Sequence, residues 1–131
     1  MFTALRWKFR RKMSAKNKQK NYYFGIAAER ISLIFLWLKG YKILAWRYKT
    51  HFGEIDIIAQ KLGVIIAVEV KARRQNLPLE VVLQNKQIER IKRALEFFIA
   101  KNPRFQQCAC RLDFIEVGRF FIPKHHKNFI S

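Results

Sequence analysis

The sequence predicts a single α/β domain. Three observations carry the prediction: an apolar helical run before residue 40, two adjoining strand patterns over residues 53–73, and a periodic helix over residues 86–101 followed by another strand. Segments of helical period and of period two alternating along one chain are what helices packed on a sheet require. The 131 residues are 50% hydrophobic with five Gly and three Pro, which suits one globular core rather than disorder. No repeat or internal linker divides the chain. Composition sets residues 1–20 apart as a basic N-terminal arm and leaves 21–131 as the domain.

Residues 1–20, MFTALRWKFRRKMSAKNKQK, carry many Lys and Arg and no acid. They read as a flexible basic arm that touches phosphates. Phe2, Trp7 and Phe9 are available to stack on bases, to lie in a membrane surface or to pack a first turn. No apolar stretch follows closely enough to form a signal peptide. The longest apolar run, residues 31–38 broken by Ser32, falls short of the ~18 residues a membrane span needs.

From Asn21 the pattern is helical, and Gly40 stands where a helix C-terminus favours glycine. A helix apolar on nearly all sides is expected to lie buried across the sheet. Glu29 is then an oddity, either a surface charge paired with Arg30 or a lysine, or a functional acid. Residues 41–48 form a strand candidate rich in aromatics. His51, beside the acids that follow, reads as a loop contact rather than a ligand.

Residues 53–73, GEIDIIAQKLGVIIAVEVKAR, read as two strands joined by a turn at Lys61, Leu62 and Gly63. At strand spacing Glu54 and Asp56 share a face, as do Glu69 and Lys71. Ile55, Ile57, Val68 and Val70 fall on the opposite faces as core. Crowding carboxylates on otherwise buried strands is costly unless a cation completes the site. Three hard oxygen donors suit Mg²⁺ or Mn²⁺, and Lys71 is placed to hold a water or to offset charge on a phosphate. These are the parts of a metal-dependent phosphodiesterase. Arg73 follows Lys71 at strand spacing, as a phosphate clamp or as a solvated strand end, and Arg74 comes next. The loop after them has Pro78 opening a short helical turn.

The helix over 86–101 takes Asn85 as N-cap and buries Ile88, Ile91, Leu95, Phe98 and Ile99. Lys86, Gln87, Arg90, Lys92 and Arg93 occupy its exposed side and beginning. Asn102-Pro103 ends it. Residues 111–117 form a last strand, broken by Gly118. The tail shows no period, and His125 and His126 read as solvated. Cys108 and Cys110 form a lone C-x-C, short of the ligands zinc needs, and fit reduced thiols in a cytoplasmic protein.

Formal charge is +18, from 27 Lys and Arg against nine Asp and Glu. The imbalance points to a polyanionic partner, nucleic acid first and an anionic membrane second. No glycine-rich phosphate loop, G-x-S-x-G or dinucleotide fingerprint is present.

Glu29 on an early helix, Asp56 closing GEID, and Glu69-Val70-Lys71 resemble the PD-(D/E)xK nuclease signature. That superfamily includes type II restriction enzymes and archaeal Holliday junction resolvases. The longer run Gly25-x-x-Ala28-Glu29, Gly40-Tyr41, Gly53-Glu54-Ile55-Asp56, Val68-Glu69-Val70-Lys71-x-Arg73 and Lys86-Gln87 resembles the bacterial YraN-type uncharacterised family, in unbroken order from about Gly25 to Val117. The resemblance implies a restriction-endonuclease-like fold, a central mixed sheet flanked by helices on both faces. It implies Asp56 and Glu69 as metal ligands, Lys71 as the catalytic lysine and Glu29 as a helical acid that assists the metal or its water, completing a catalytic set of Glu29, Asp56, Glu69 and Lys71. Glu54 belongs to the YraN-type pattern without a role set by the superfamily and stays a candidate ligand from its place on the strand face. Lys86 and Gln87 match a helix start near phosphate, joining Arg73 and Arg74 as nucleic-acid contacts. The long basic arm departs from the family's usual short N-terminus.

Two functions follow as expectations. One is a Mg²⁺- or Mn²⁺-dependent endonuclease acting on DNA rather than RNA, with branched or damaged DNA as its substrate class. The other is a non-catalytic nucleic-acid-binding protein that keeps the fold and the metal site. A homodimer is left open.

Overall fold

The structure is a computed structural model and describes residues 2–72 and 84–128, with side chains from residue 19 onward. Its elements are α1 (Phe2–Leu38), β1 (Lys42–Lys49), β2 (Glu54–Lys61), β3 (Val64–Ala72), α2 (Asn85–Lys101), a 3₁₀ turn (Pro103–Phe105), β4 (Ala109–Val117) and β5 (Pro123–His126). Arg73, Arg74 and Pro78 lie outside the described residues.

The five strands form one sheet in chain order. β1, β2 and β3 are antiparallel neighbours, β3 and β4 run parallel, and β5 returns antiparallel to β4. A parallel pair needs a crossover, and α2 supplies it. Successive residues of β3 feed two separate cores. Ile66 and Val68 pack with Ala28 and Leu36 of α1, while Ile65 and Ala67 pack with Ile91, Ala94, Leu95 and Phe98 of α2. The sheet is therefore mixed, with one helix on each face.

α1 ends in the expected manner. Gly40 has φ 90°, Gly40 N–H bonds the Trp37 carbonyl at 3.0 Å and Tyr41 N–H bonds the Leu36 carbonyl at 3.0 Å. These are the paired bonds of a Schellman cap, and they need a residue tolerant of positive φ. Burial of this helix differs from expectation. Ala28, Ser32 and Leu36 are buried, but Ile34, Trp37 and Leu38 are 59%, 67% and 71% exposed. The sheet covers one stripe of α1, and among the described residues the outer stripe has no covering layer. The backbone of the basic residues 2–20 continues into the same helix.

Three smaller expectations are corrected. Gln84, not Asn85, is the N-cap of α2, and it acts through its carbonyl, which accepts from Gln87 and Ile88 N–H. The strand placed at 111–117 begins at Ala109, where Ala109 N–H bonds the Gly63 carbonyl at 3.1 Å. The two histidines of the tail pair with strand acids, the His125 side chain covered and that of His126 still 34% exposed. The His125 side chain is 3% exposed and its Nε2 lies 2.7 Å from Asp113 Oδ2, while His126 Nε2 lies 3.1 Å from Glu116 Oε1. Both are drawn in because β5 pairs with β4.

Gly53 matters for placement. A Cβ there would meet Arg90 Cβ at 3.0 Å. The absent side chain lets the start of β2 lie against α2, which fixes where that helix begins relative to the strand acids.

Candidate active site

Regular β2–β3 pairing runs from Lys61↔Val64 to Ile57↔Val68. One step further the Asp56 side chain takes over, with Oδ2 accepting the backbone N–H of Val70 at 2.8 Å. Asp56 is thus held by the neighbouring strand as the ladder gives out. On β3, alternation turns Glu69 away from Val68 and Val70 and toward α2, where Gln87 Nε2 donates to Glu69 Oε1 at 2.6 Å. Lys71, two residues on, places Nζ 3.2 Å from the same oxygen. Glu69 is 6% exposed.

The two carboxyl groups lie close enough for each to shift the ionisation of the other. Burial raises the Asp56 carboxyl first, the Glu69 charge second and that of Glu29 more weakly, and together they push it up to about 8 against the opposing Val70 N–H. Burial also raises Glu69, although Lys71 and Gln87 oppose it. Two carboxyls held this way, even with Lys71 beside Glu69, disfavour a second negative charge, which a further cation would favour.

The remaining expected acids stand further out. Glu29 accepts from Arg47 Nε at 2.8 Å and from Trp46 Nε1 at 3.2 Å, so its partners are neither Arg30 nor a lysine. Glu54 is exposed, and its influence is on the Arg47 guanidinium. The expected crowd of Glu54, Asp56 and Glu69 is a pair, Asp56 and Glu69, with Lys71 and Gln87 attached. Among the described residues no three His, Cys, Asp or Glu side chains converge closely enough to hold a metal together.

The donor set still fits one class of ion. Mg²⁺ is held by one or two carboxylates, with waters and substrate phosphate completing its shell. A half-buried and a buried carboxyl that gain from a positive neighbour match that requirement, whereas zinc would call for further nitrogen or sulfur donors. His51 makes ring contacts with Phe52 and Phe97, a packing role as expected. On α2, Asn85, Lys86, Glu89, Arg90 and Arg93 line a surface basin along the first turns of the helix that also carries Gln87.

Sequence reasoning missed two features here. Arg47 gave no signal, since nothing in the residue type announces its contact with Glu29. The face change around Asp56 was also hidden. Ile57 packs in the α1-side core and Ile55 in the α2-side core, so the two do not share a face as expected.

The model of the uncharacterised protein family UPF0102 matches residues 28–117, from Ala28 on α1 to the end of β4. The chain belongs to the UPF0102 family. A UPF0102 protein of Bartonella bacilliformis is 34% identical over 119 residues, covering 91% of this chain and 98% of its own. One from Rhodopseudomonas palustris is 42% identical over 101 residues, covering 77% of each chain. A third, from Bartonella tribocorum, is 33% identical over 88% of this chain and 89% of its own. The UPF0102 match spans every described residue of the carboxylate site.

Proposed function

We propose that this UPF0102 protein is a metal-dependent nuclease that hydrolyses phosphodiester bonds in DNA. The observation that carries the reading is the pair of half-buried Asp56 and buried Glu69, with Lys71 Nζ 3.2 Å from Glu69. A mixed sheet with a helix on each face, and these residues where two strands part, supports a restriction-endonuclease-like relationship. The formal charge of +18 and the basic basin on α2 support a polyanionic substrate.

Asp56 and Glu69 would hold Mg²⁺ or Mn²⁺. Such an ion, when bound, offsets phosphate charge and acidifies water. The chain does the rest. Val70 N–H fixes Asp56, and Gln87 fixes Glu69 by occupying Oε1. Lys71 is anchored at Glu69 and keeps donors free for a phosphoryl oxygen, whose charge grows as the bond to phosphorus is made and broken. Lys86, Arg90 and Arg93 receive the backbone of the flanking strand.

One observation favours a second reading. Two converging carboxylates, rather than three, are also what a nucleic-acid-binding protein without hydrolytic activity would keep. A panel of single-stranded, duplex, flapped and four-way DNA incubated with Mn²⁺ separates the two. The nuclease reading expects cleavage of at least one substrate, abolished by EDTA and by Asp56→Asn. Binding without cleavage across the panel would favour the second reading.

A further inference from the structure

The β1–β2 register pairs Trp46 with Ile57 and Tyr48 with Ile55, which sets Arg47 opposite Asp56. At this step both strands turn over. Trp46 Nε1 reaches Glu29 of α1 and Ile57 packs on the α1 side, whereas Tyr48 packs on Phe98 of α2 and Ile55 lies in the α2-side core. Arg47 accommodates the turnover with φ 53°, in the left-handed region. A position that served the turn alone would favour Gly or Asn, which adopt this conformation at less cost.

The side chain accounts for an arginine there. Nε donates to Glu29 Oε2 at 2.8 Å, and the guanidinium stands 5.2 Å over the Trp46 ring. Among the described residues its two terminal nitrogens have no hydrogen-bond partner, and the side chain is 38% exposed. A guanidinium gripped at Nε and steadied on an indole presents its outer edge in a fixed orientation. Two parallel N–H groups on that edge match the oxygens of a phosphate.

We propose that Arg47 is a phosphate anchor, binding a DNA backbone phosphate from its place opposite Asp56 in the β1–β2 register, with Glu29 as the positioning residue that aims it. The inference rests on the reading of the site as one for nucleic acid and assigns Glu29 to the anchor rather than to the ion. It also explains why Glu29 is turned toward β1 instead of joining Asp56 and Glu69.

The test is fluorescence anisotropy of a labelled DNA oligonucleotide in EDTA over a salt series, which removes cleavage from the readout. Arg47→Gly suits the backbone conformation while deleting the side chain, and Arg47→Gln, neutral and of similar reach, serves if the glycine variant melts early. Either should weaken binding about 10-fold or more and reduce the salt slope by about one. Glu29→Gln, which keeps an acceptor for Nε, should retain the slope, and Glu29→Ala should lose affinity. Wild-type affinity and slope in both folded Arg47 variants would overturn the anchor, as would a wild type that binds no DNA. The two readings fail separately. A wild type that cleaves nothing, with binding that still depends on Arg47, sinks the hydrolysis and leaves the anchor standing. Cleavage with binding indifferent to Arg47 does the reverse.

Discussion

Asp56 Oδ2 accepts the backbone N–H of Val70 at 2.8 Å, so one side chain both closes the β2–β3 ladder and faces Glu69. Its charge and its hydrogen-bonding capacity therefore have opposite effects on the apo protein, and two substitutions separate them. Asp56→Asn keeps an acceptor for Val70 and removes an acid that the folded protein must hold protonated or charge at a cost beside Glu69. Its stability in EDTA should equal wild type or exceed it by ~0.5–2 kcal/mol. Asp56→Ala leaves the Val70 N–H without a partner and should be less stable than Asp56→Asn by ~1–3 kcal/mol. Urea melts of the three proteins check this, and an asparagine variant as weak as the alanine variant would contradict it.

Under the proposed function Lys71 acts on the reacting phosphate from a position where its Nζ is tethered at 3.2 Å to Glu69. Lys71→Ala should bind DNA as wild type does and cleave it ~10²–10³-fold more slowly, the usual cost of one donor to a developing anion. Single-turnover cleavage with a parallel binding measurement reads both quantities.

The face rule for strands made Glu69 and Lys71 legible in the sequence, because β3 alternates without interruption. The same rule failed at Ile55 and Ile57, because β1 and β2 turn over at Arg47 and Asp56 and no glycine marks the place. α2 was legible from its period and α1 from Asn21 onward from its apolar run, but neither the helical backbone of residues 2–20 nor the exposed outer stripe of α1 was. An apolar helix looks the same in sequence whether one or both of its faces are covered. The network around Asp113 was hidden for another reason. It joins residues as distant in sequence as Lys39 and His125, within a tail that has no period of its own.

That network gives the acid sensitivity. Burial pushes the Asp113 carboxyl up, but hydrogen bonds from His125, Arg111 and the Asn128 N–H outweigh it and hold the group well below the ordinary carboxylate range. A carboxyl depressed in the folded state contributes stability that is fully present above its unfolded pKa, near ~3.9, and is lost as pH falls through its folded value. Wild type should therefore lose stability below about pH 4. Asp113→Asn should be destabilised at pH 7 and lose less on acidification. Asp113→Ala strands Arg111 beside Tyr41 and should cost ~3–5 kcal/mol at pH 7. Melts across pH 2–7 (an experimental range of roughly five units) test the sign.

Leu62 offers a test independent of function. It sits in the β2–β3 turn at φ 50°, 92% exposed, followed by Gly63 at φ 74°. Two positive φ angles favour Asn-Gly in a turn of this kind. Leu62→Asn should raise stability by about 1 kcal/mol, the lower end of the cost of a left-handed residue. A loss of stability would show that Leu62 packs on something in solution.

Mn²⁺ titration followed by electron paramagnetic resonance tests most directly whether Asp56 and Glu69 are a divalent-cation site. Wild type and Lys71→Ala should each remove about one Mn²⁺ per chain from the free-ion signal, with Mg²⁺ competing for it, because the site uses carboxylates and leaves the rest of the shell to water. Asp56→Asn and Glu69→Gln should remove little. Equal Mn²⁺ uptake by wild type and both carboxylate variants, or none by wild type, would contradict the account.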